Sequence, residues 1–400
     1  MLSAGWALSV CVFVMKRNHF PEAEGLRAYM ALWVAVGHAL QFAGFTPTNA
    51  PLRILMNGDA AVSVFIMLSG FVITNLLMTK QEPYPAYIAR RFLRLMPAFL
   101  VTCVIGYFLA GWLFEYTANV PWRAEPYTLD MTRNRWTRLV EVRDNLLPHV
   151  AAHLTLLHGA IPQNLLPAAD RTFIAPGWSI SLEWQFYLLA PLILWSVRRP
   201  WALAVVAAAA LVAFKLFERG ALGVFETHSI IAGASGMFAV GIGSRLLLDR
   251  LHGLRFDGVG WAAAVSAVLV MYSSQALPLV IWTVFITYLG AQRTGVDAKV
   301  VNWVLANPVS RWLGNISYSL YLTHVLSMVA LGYAALRLAP DLSKPMALAV
   351  QMAAILISIP ISWAMYRLVE LPGNALGRKL AKALGGKGRP APAAEGGIEG

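Results

Sequence analysis

Arg27 and His38 lie in one apolar segment, and their types and spacing suggest chemistry. They are eleven residues apart, which in a helix is about three turns, so both side chains point to one face, roughly 16 Å apart along the axis. Ionisable groups at membrane depth are costly and therefore usually functional. A histidine there can act as a general base near neutral pH. The alternative is structural: His38 hydrogen-bonds a neighbouring helix, and the guanidinium of Arg27 reaches towards the membrane interface.

Arg91 and Arg94 form a second candidate site, immediately before Pro97. Residues three apart share a helix face, and two fork-shaped guanidinium groups bind phosphate well. The pair therefore indicates an anion site. A basic pair at the end of an apolar segment is also explained as a signal that keeps this end in the cytoplasm, and both interpretations stay open.

Glu183 lies inside the start of another apolar segment, with Tyr187 one turn further along. A buried carboxylate takes up a proton unless a cation pairs with it. We therefore expect a histidine or an arginine from another helix beside Glu183. The alternative is a carboxylate at the membrane interface that water reaches.

Ser317, Tyr321 and His324 follow one another at i, i+4 and i+7 and form one polar stripe on an otherwise apolar helix. Such a stripe must face protein or a water-filled cavity, where its groups can stabilise a developing oxyanion. A packing role for the hydroxyls is the alternative. Near the end of the last apolar segment, Arg367 and Glu370 are expected to form an ion pair at i,i+3.

Three further histidines, His149, His153 and His158, have helical spacing in the segment 115–178. No aspartate or glutamate lies among them, so we predict no metal site. The chain also contains no phosphate-binding loop and no dinucleotide-binding glycine pattern in a strand–turn–helix context.

The elements that position these residues must be membrane helices. The chain has 400 residues, of which 58% are hydrophobic and 13% are charged, and its mean hydropathy is +0.60. A soluble protein this apolar could not cover its surface, so the composition excludes an ordinary cytosolic enzyme, a disordered chain and a disulfide scaffold. Cys11 and Cys103 both lie in apolar runs and give no disulfide framework.

The apolar runs predict an all-α, polytopic membrane protein with about ten transmembrane helices. The predicted spans are 24–44, 58–79, 95–114, 179–197, 201–218, 229–248, 258–272, 277–291, 313–336 and 346–366.

The basic residues predict the orientation. Nineteen lysines and arginines fall in the turns and ends on one side of this scheme, against four in the short loops on the other side. Because cytoplasmic loops carry the basic excess, both termini should be cytoplasmic, and the net charge of +12 reflects orientation and not nucleic-acid binding. Residues 1–19 are predicted to be an apolar anchor or a wrongly chosen start, 20–372 the membrane domain, and 373–400 a basic and then disordered tail.

Five stretches occur in the same order as in acyltransferase family 3, the integral-membrane O-acyltransferases of carbohydrates, and the chain resembles that family over about residues 20–372. These stretches are 24–28 with His38, 61–74, Arg91 to Arg94 with Pro97, 178–187 and 317–324. The sequence departs from the family pattern at four positions. Ala61 and Ser63 stand where the family often has Gly and Asp. Trp184 stands where an acidic residue is common, and Thr323 stands where Trp is common.

The resemblance implies an enzyme of the bacterial inner membrane that takes an acyl group, most commonly acetyl, from cytoplasmic acyl-CoA. It implies a carbohydrate or glycoside acceptor, such as an exopolysaccharide, an O-antigen or a lipid-linked sugar. Acyl-CoA is then a co-substrate, with no permanently bound cofactor and no metal. Expected partners are the acceptor, the lipid bilayer and proteins of polysaccharide assembly.

The resemblance also implies roles for the candidate residues. His38 would be the general base, with Arg27 on the same face and Glu183 orienting the histidine or binding the acceptor. Arg91 and Arg94 would hold the phosphates of coenzyme A. The acceptor or oxyanion candidates are Trp178, Ser317, Tyr321 and His324.

A transporter or flippase of a lipid-linked saccharide is the alternative function, because polar stripes within a helical bundle would serve it equally well. Cleavage of the thioester separates the two hypotheses, since an enzyme releases free coenzyme A from its donor and a carrier does not.

Overall fold

A computed structural model describes residues 20–249, 276–290 and 296–385, without the side chains of 296–298. Helices make up most of this part of the chain, and the described ranges contain no strand. The predicted all-α class is therefore confirmed. The predicted anchor at 1–19, the predicted span at 258–272 and the end of the tail at 386–400 lie outside the described residues.

The described helices follow one another along the chain and are numbered here in that order. They are α1 (Pro21–Phe42), α2 (Ala50–Leu55), α3 (Gly58–Thr79), α4 (Tyr84–Asn119), α5 (Pro126–Asp144), α6 (Leu146–Leu154), α7 (Gly177–Val197), α8 (Pro200–Glu218), α9 (Ile231–Leu247), α10 (Leu277–Gly290), α11 (Val296–Ala306), α12 (Pro308–Asn315), α13 (Ser317–Leu338), α14 (Lys344–Met365) and α15 (Leu371–Ala383). A π turn (Tyr366–Glu370) joins α14 to α15.

Within the described ranges, six helical segments are long and apolar enough to cross a membrane. They are Ala50–Thr79, Tyr84–Asn119, Gly177–Val197, Pro200–Glu218, Ser317–Leu338 and Lys344–Ala383. Two of the other predicted spans correspond to the shorter apolar helices α9 and α10. α1 covers most of the predicted first span and has 22 residues, but it is not among these six segments, so the predicted number of about ten spans stays a prediction.

Glycines allow α1 to lie very close to its neighbours, and this contact positions Arg27 and His38. A Cβ atom at Gly314 of α12 would lie 2.2 Å from the carbonyl oxygen of Glu24, and one at Gly25 would lie 1.9 Å from that of Leu305. Helix backbones in membranes approach this closely only where small residues stand at the contact. The start of α1 is therefore held against α11 and α12, and its remaining length packs on α3, α13 and α14.

The apolar core on the other side of α3 is built with α7 and α9. The rings of Phe186 and Phe238 stack with their centroids 4.1 Å apart. A Cβ atom at Gly241 would lie 2.0 Å from the carbonyl oxygen of Met67, so α9 also packs directly on the backbone of α3. This close packing holds α3 and α7 in place as the walls of the site described next.

Candidate active site

A cavity lies among α1, α3, α4, α7, α9 and α13, and its space is about 710 Å³ with the open mouth included. Five predicted site residues line it: Arg27, Arg94, Glu183, Ser317 and Tyr321. The other lining residues are Val62, Phe65, Ile66, Ser69, Leu95, Ser179, Ile180, Phe238 and Tyr318. The fold therefore gathers groups from four distant stretches of sequence into one pocket with charged and apolar walls.

Two guanidinium groups and a carboxylate determine the electrostatics of this cavity. Arg27 and Arg94 act electrostatically on each other, and Glu183 acts on both. The carboxylate of Glu183 also accepts a hydrogen bond from the hydroxyl of Tyr187, one turn along α7. Opposite charges attract each other more strongly away from water, so Glu183 partly offsets the repulsion between the two arginines. The cations that act on half-buried Glu183 are therefore the arginines of α1 and α4.

Glu370 brings a second carboxylate to Arg94. Its side chain is 3% exposed, interacts with Arg94 and accepts a hydrogen bond from the Oγ of Ser319 at 3.0 Å. The guanidinium of Arg367 lies instead over the ring of Trp363, 5.5 Å from its centroid. The predicted Arg367–Glu370 ion pair is therefore replaced by the interactions of Glu370 with Arg94 and Ser319. The reason is that the π turn changes the helical register and directs Glu370 into the protein. Such π turns occur frequently at functional sites.

Arg91 lies beside the cavity wall and not in it. Its guanidinium carbon is 5.7 Å from the centroid of the Tyr187 ring, and its Nε is buried without a hydrogen-bond partner in the described part of the chain. Tyr187 interacts electrostatically with Arg94 as well. The arginine pair therefore converges on Tyr187, and only Arg94 reaches the cavity surface.

Hydroxyl groups also line the cavity. The Oγ of Ser179 and the hydroxyl of Tyr321 lie 2.8 Å apart. The Oγ of Ser179 also donates to the carbonyl oxygen of Pro176 at 3.0 Å, so the hydroxyl of Tyr321 donates its proton to Ser179. The Oγ of Ser317 donates to the backbone carbonyl three residues earlier at 2.7 Å. Both serines therefore donate to backbone carbonyls, and Tyr321 is the hydroxyl of the predicted stripe whose bond to Ser179 a ligand oxygen can replace.

His38 lies further along α1 and is held by Gln41. Its Nδ1 is 3.0 Å from the Oε1 of Gln41. Because a carbonyl oxygen only accepts, this contact places a proton on Nδ1 and leaves the lone pair on Nε2. An imidazole held in this tautomer is suited to accept a proton through Nε2.

His324 connects His38 with the cavity. The rings of the two histidines stack with centroids 5.5 Å apart and an interplanar angle of 22°. The ring of Tyr321, which lines the cavity, lies 6.0 Å from that of His324. The Nδ1 of His324 donates to the carbonyl oxygen of Leu320 at 3.1 Å, so the lone pair of this ring is on Nε2. His38 itself is not among the lining residues, so the structure places it next to the pocket and not within it.

Trp178, the remaining candidate, is partly buried against the main apolar core at the start of α7. It is not one of the residues that line the cavity. The structure therefore brings together Arg27, Arg94 and Glu183 with the hydroxyl stripe, and leaves Trp178 apart from them.

The three histidines of the segment after α5 gather outside the cavity. The rings of His153 and His158 stack 4.1 Å apart, and the Nδ1 of His149 is 3.0 Å from the Oγ1 of Thr172. Burial lowers the pKa of His158 to about 4, so this ring is neutral at neutral pH. In the part of the chain that the structure describes, no group of three His, Cys, Asp or Glu residues is arranged to hold a metal ion.

Sequence reasoning missed Gln41 and the inward position of Glu370. Gln41 stands at i+3 from His38, which places both on one helix face, so the spacing was the available signal. No comparable signal existed for Glu370, because the sequence pattern alone predicts a regular helix there.

Comparison with known proteins gives three findings. A family model described as an acyltransferase domain matches residues 20–367. Acyltransferase MdmB of Streptomyces mycarofaciens is 33% identical over 202 residues, which are 48% of this chain and 45% of that relative, so the match spans less than half of its length. No solved structure matches.

Proposed function

Because the chain belongs to the acyltransferase family whose model spans residues 20–367, we propose that this membrane enzyme transfers a short acyl group from acyl-CoA to a hydroxyl of a carbohydrate or glycoside. Acetyl, the commonest group in the family, is the proposed acyl group. The observation that carries the proposal is the cavity, where two guanidinium groups, a carboxylate and several hydroxyls converge between apolar helices. Such a site can hold an anionic donor and stabilise charge that develops during transfer.

The arginines of α4 are the proposed donor site. Arg94 lines the cavity and Arg91 lies over Tyr187 beside it, near the end of the helix that we assign to the cytoplasmic side. Guanidinium groups bind phosphates by paired hydrogen bonds, so these two side chains are suited to the phosphates of coenzyme A. The roughly 16 Å along α1 from Arg27 to His38 is of the order that the pantetheine arm spans.

His38 is the proposed general base. The acceptor hydroxyl attacks the thioester carbonyl, the C–O bond forms, and its proton passes to Nε2 of His38. The C–S bond then breaks, and coenzyme A leaves as a thiolate that regains the proton. Tyr321 turns its hydroxyl from Ser179 to donate to the oxyanion of the tetrahedral intermediate, and Glu183 holds Arg27 in position. Trp178 and His324 remain candidates for contacts with the acceptor.

We further propose that both termini are cytoplasmic and that the protein resides in the bacterial inner membrane. The support is the distribution of basic residues, nineteen on one side against four in the short loops of the other. In this orientation Arg27 is near the cytoplasm and His38 near the external side, so donor and acceptor approach from opposite ends of α1.

Donor kinetics test the proposal. Purified protein is given acetyl-CoA and a sugar acceptor, and free coenzyme A is measured over time. Losing a charged hydrogen bond costs about 1.5 kcal/mol or more, so Arg94→Gln should raise the KM for acetyl-CoA about tenfold or more. The matched control is Arg311→Gln, which alters an exposed arginine and should leave KM unchanged.

Two results would count against the donor site and the reaction. An unchanged KM in Arg94→Gln would remove the arginine from the donor site. Failure of the parental protein to release coenzyme A would favour a carrier over an enzyme that uses acyl-CoA.

A further inference from the structure

A second, smaller cavity lies at the far end of α1, outside the site described above. It is enclosed by α4, α5, α13 and the segment 172–175, and its space is about 410 Å³ with the open mouth included. Apolar side chains make most of its wall, but Arg135 and Arg138 of α5 also line it. Two guanidinium groups three residues apart on one helix face lie close together. A small apolar pocket with two cations favours a negatively charged occupant.

Both guanidinium groups have donors that the protein does not satisfy. The Nη1 of Arg135 and the Nε of Arg138 are buried and have no hydrogen-bond partner in the described part of the chain. Arg135 rests on the ring of Phe42, 4.7 Å from its centroid, and the one hydrogen bond of Arg138 is a long contact of 3.5 Å to the carbonyl of Thr172. Buried polar groups are normally paired, so these two N–H groups are available to a ligand.

No carboxylate of the described residues forms an ion pair with either arginine. The acidic residue that acts on Arg138 is Asp170. Its two oxygens accept hydrogen bonds from Gln163 and Thr227, and its Oδ1 lies 3.5 Å from the Nε of Arg171. Burial lowers the pKa of Arg138 to about 9 and that of Arg135 to about 10. Both side chains therefore remain charged at neutral pH, next to each other and without a counter-ion.

The small cavity lies next to the proposed catalytic base. Phe42, on which Arg135 rests, follows His38 by four residues and so lies one turn further on the same face of α1. Arg135 also acts electrostatically on His38. A group bound by the two arginines would therefore lie close to His38, at the end of α1 opposite to the donor arginines.

We infer that Arg135 and Arg138 bind a carboxylate or phosphate group carried by the acceptor and thereby present its hydroxyl to His38. The inference rests on the proposed function, and it narrows the acceptor to a negatively charged carbohydrate, such as a uronic acid or a sugar phosphate.

Equilibrium binding tests the inference without requiring catalysis. Purified full-length protein is saturated with coenzyme A, so that Arg91 and Arg94 are occupied, and is titrated in a calorimeter with glucuronate, glucose 6-phosphate or glucose. We expect at least one charged sugar to bind tenfold or more tightly than glucose. Which of the two binds shows whether the pocket takes a carboxylate or a phosphate.

Variants of α5 locate the binding. The double variant Arg135→Gln/Arg138→Gln should weaken binding of the charged sugar at least tenfold and leave coenzyme A binding unchanged. Arg133→Gln, on the exposed side of the same helix, is the matched control and should bind as the parental protein does. If the double variant does not fold, the comparison of charged and neutral sugars in the parental protein decides alone.

The inference is overturned if glucose binds as tightly as both charged sugars, if neither charged sugar binds, or if the double variant binds unchanged. Failure of the proposed function looks different: charged sugars would bind in the arginine-dependent way, but no acyl group would be transferred to them. Conversely, equally efficient acylation of neutral and charged sugars would refute the charged acceptor and leave the transfer reaction intact.

Discussion

Gln41→Leu tests whether the contact at 3.0 Å between Gln41 and His38 sets the tautomer of the catalytic base. Leucine removes the acceptor of the Nδ1 proton and keeps the side chain large and helix-forming. Without the oxygen of Gln41, the neutral imidazole is free to carry its proton on Nε2. In that tautomer Nε2 has no lone pair with which to take the proton of the sugar hydroxyl. One hydrogen bond of this kind contributes about 0.5–1.5 kcal/mol, so kcat should fall about 2- to 12-fold.

The assay is the initial rate of acetyl transfer at saturating acetyl-CoA, measured as free coenzyme A that depends on acceptor. The matched control is Gln41→Glu, which keeps a side-chain oxygen at the same distance from the backbone and should retain most of the rate. His38→Ala gives the lower limit, because it removes the ring altogether.

A parental rate in Gln41→Leu would refute the assignment of the tautomer. An equal loss in Gln41→Leu and Gln41→Glu would also refute it, because the effect would then come from packing and not from the acceptor oxygen.

Three further predictions concern stability, each measured by unfolding of the purified protein. Glu183→Gln should destabilise the protein by about 1–3 kcal/mol, because it removes the carboxylate that acts on Arg27 and Arg94 and leaves their buried positive charge less compensated; an unchanged unfolding midpoint would contradict the charge arrangement. Gly314→Ala should cost about 1–3 kcal/mol, since its Cβ would lie 2.2 Å from the carbonyl oxygen of Glu24; a variant as stable as the parent would show that α1 is not held there. Because the pKa of His158 is lowered to about 4 and the unfolded value is about 6.5, its contribution is complete above pH 6.5 and is lost as pH falls towards 4, by up to about 3 kcal/mol. His158→Phe should therefore flatten the dependence of stability on pH in this window, and an equally steep dependence would contradict the neutral ring.

The helical class and most of the main site were predictable, because ionisable residues stand out in apolar segments. Arg27 and Glu183 are costly at membrane depth unless they have partners. In the structure the two side chains interact electrostatically with each other. The stripe on α13 was predictable for the same reason, and Tyr321 lines the cavity as expected. In these cases the periodicity of a single helix was enough.

The contacts that depend on departures from regular structure were not predictable. Glu370 faces Arg94 because a π turn changes the register of the helix end, whereas the i,i+3 pattern pairs it with Arg367. Arg135 and Arg138 lie in a long polar segment whose basic residues are ordinarily taken to be solvated, and the packing of α5 on α4 leaves them half-buried, with one guanidinium nitrogen of each away from solvent. Sequence periodicity describes one element at a time and carries no information about such contacts.

Acceptor-dependent release of coenzyme A from acetyl-CoA tests the central claim most directly. The measurement compares the parental protein with His38→Ala and Arg27→Ala proteins that are shown to be inserted and folded. A general base contributes about 10²–10⁴-fold to a rate, so His38→Ala should lower kcat at least about a hundredfold, and Arg27→Ala should lower kcat/KM for the donor. Transfer by either variant at the parental rate would contradict the account.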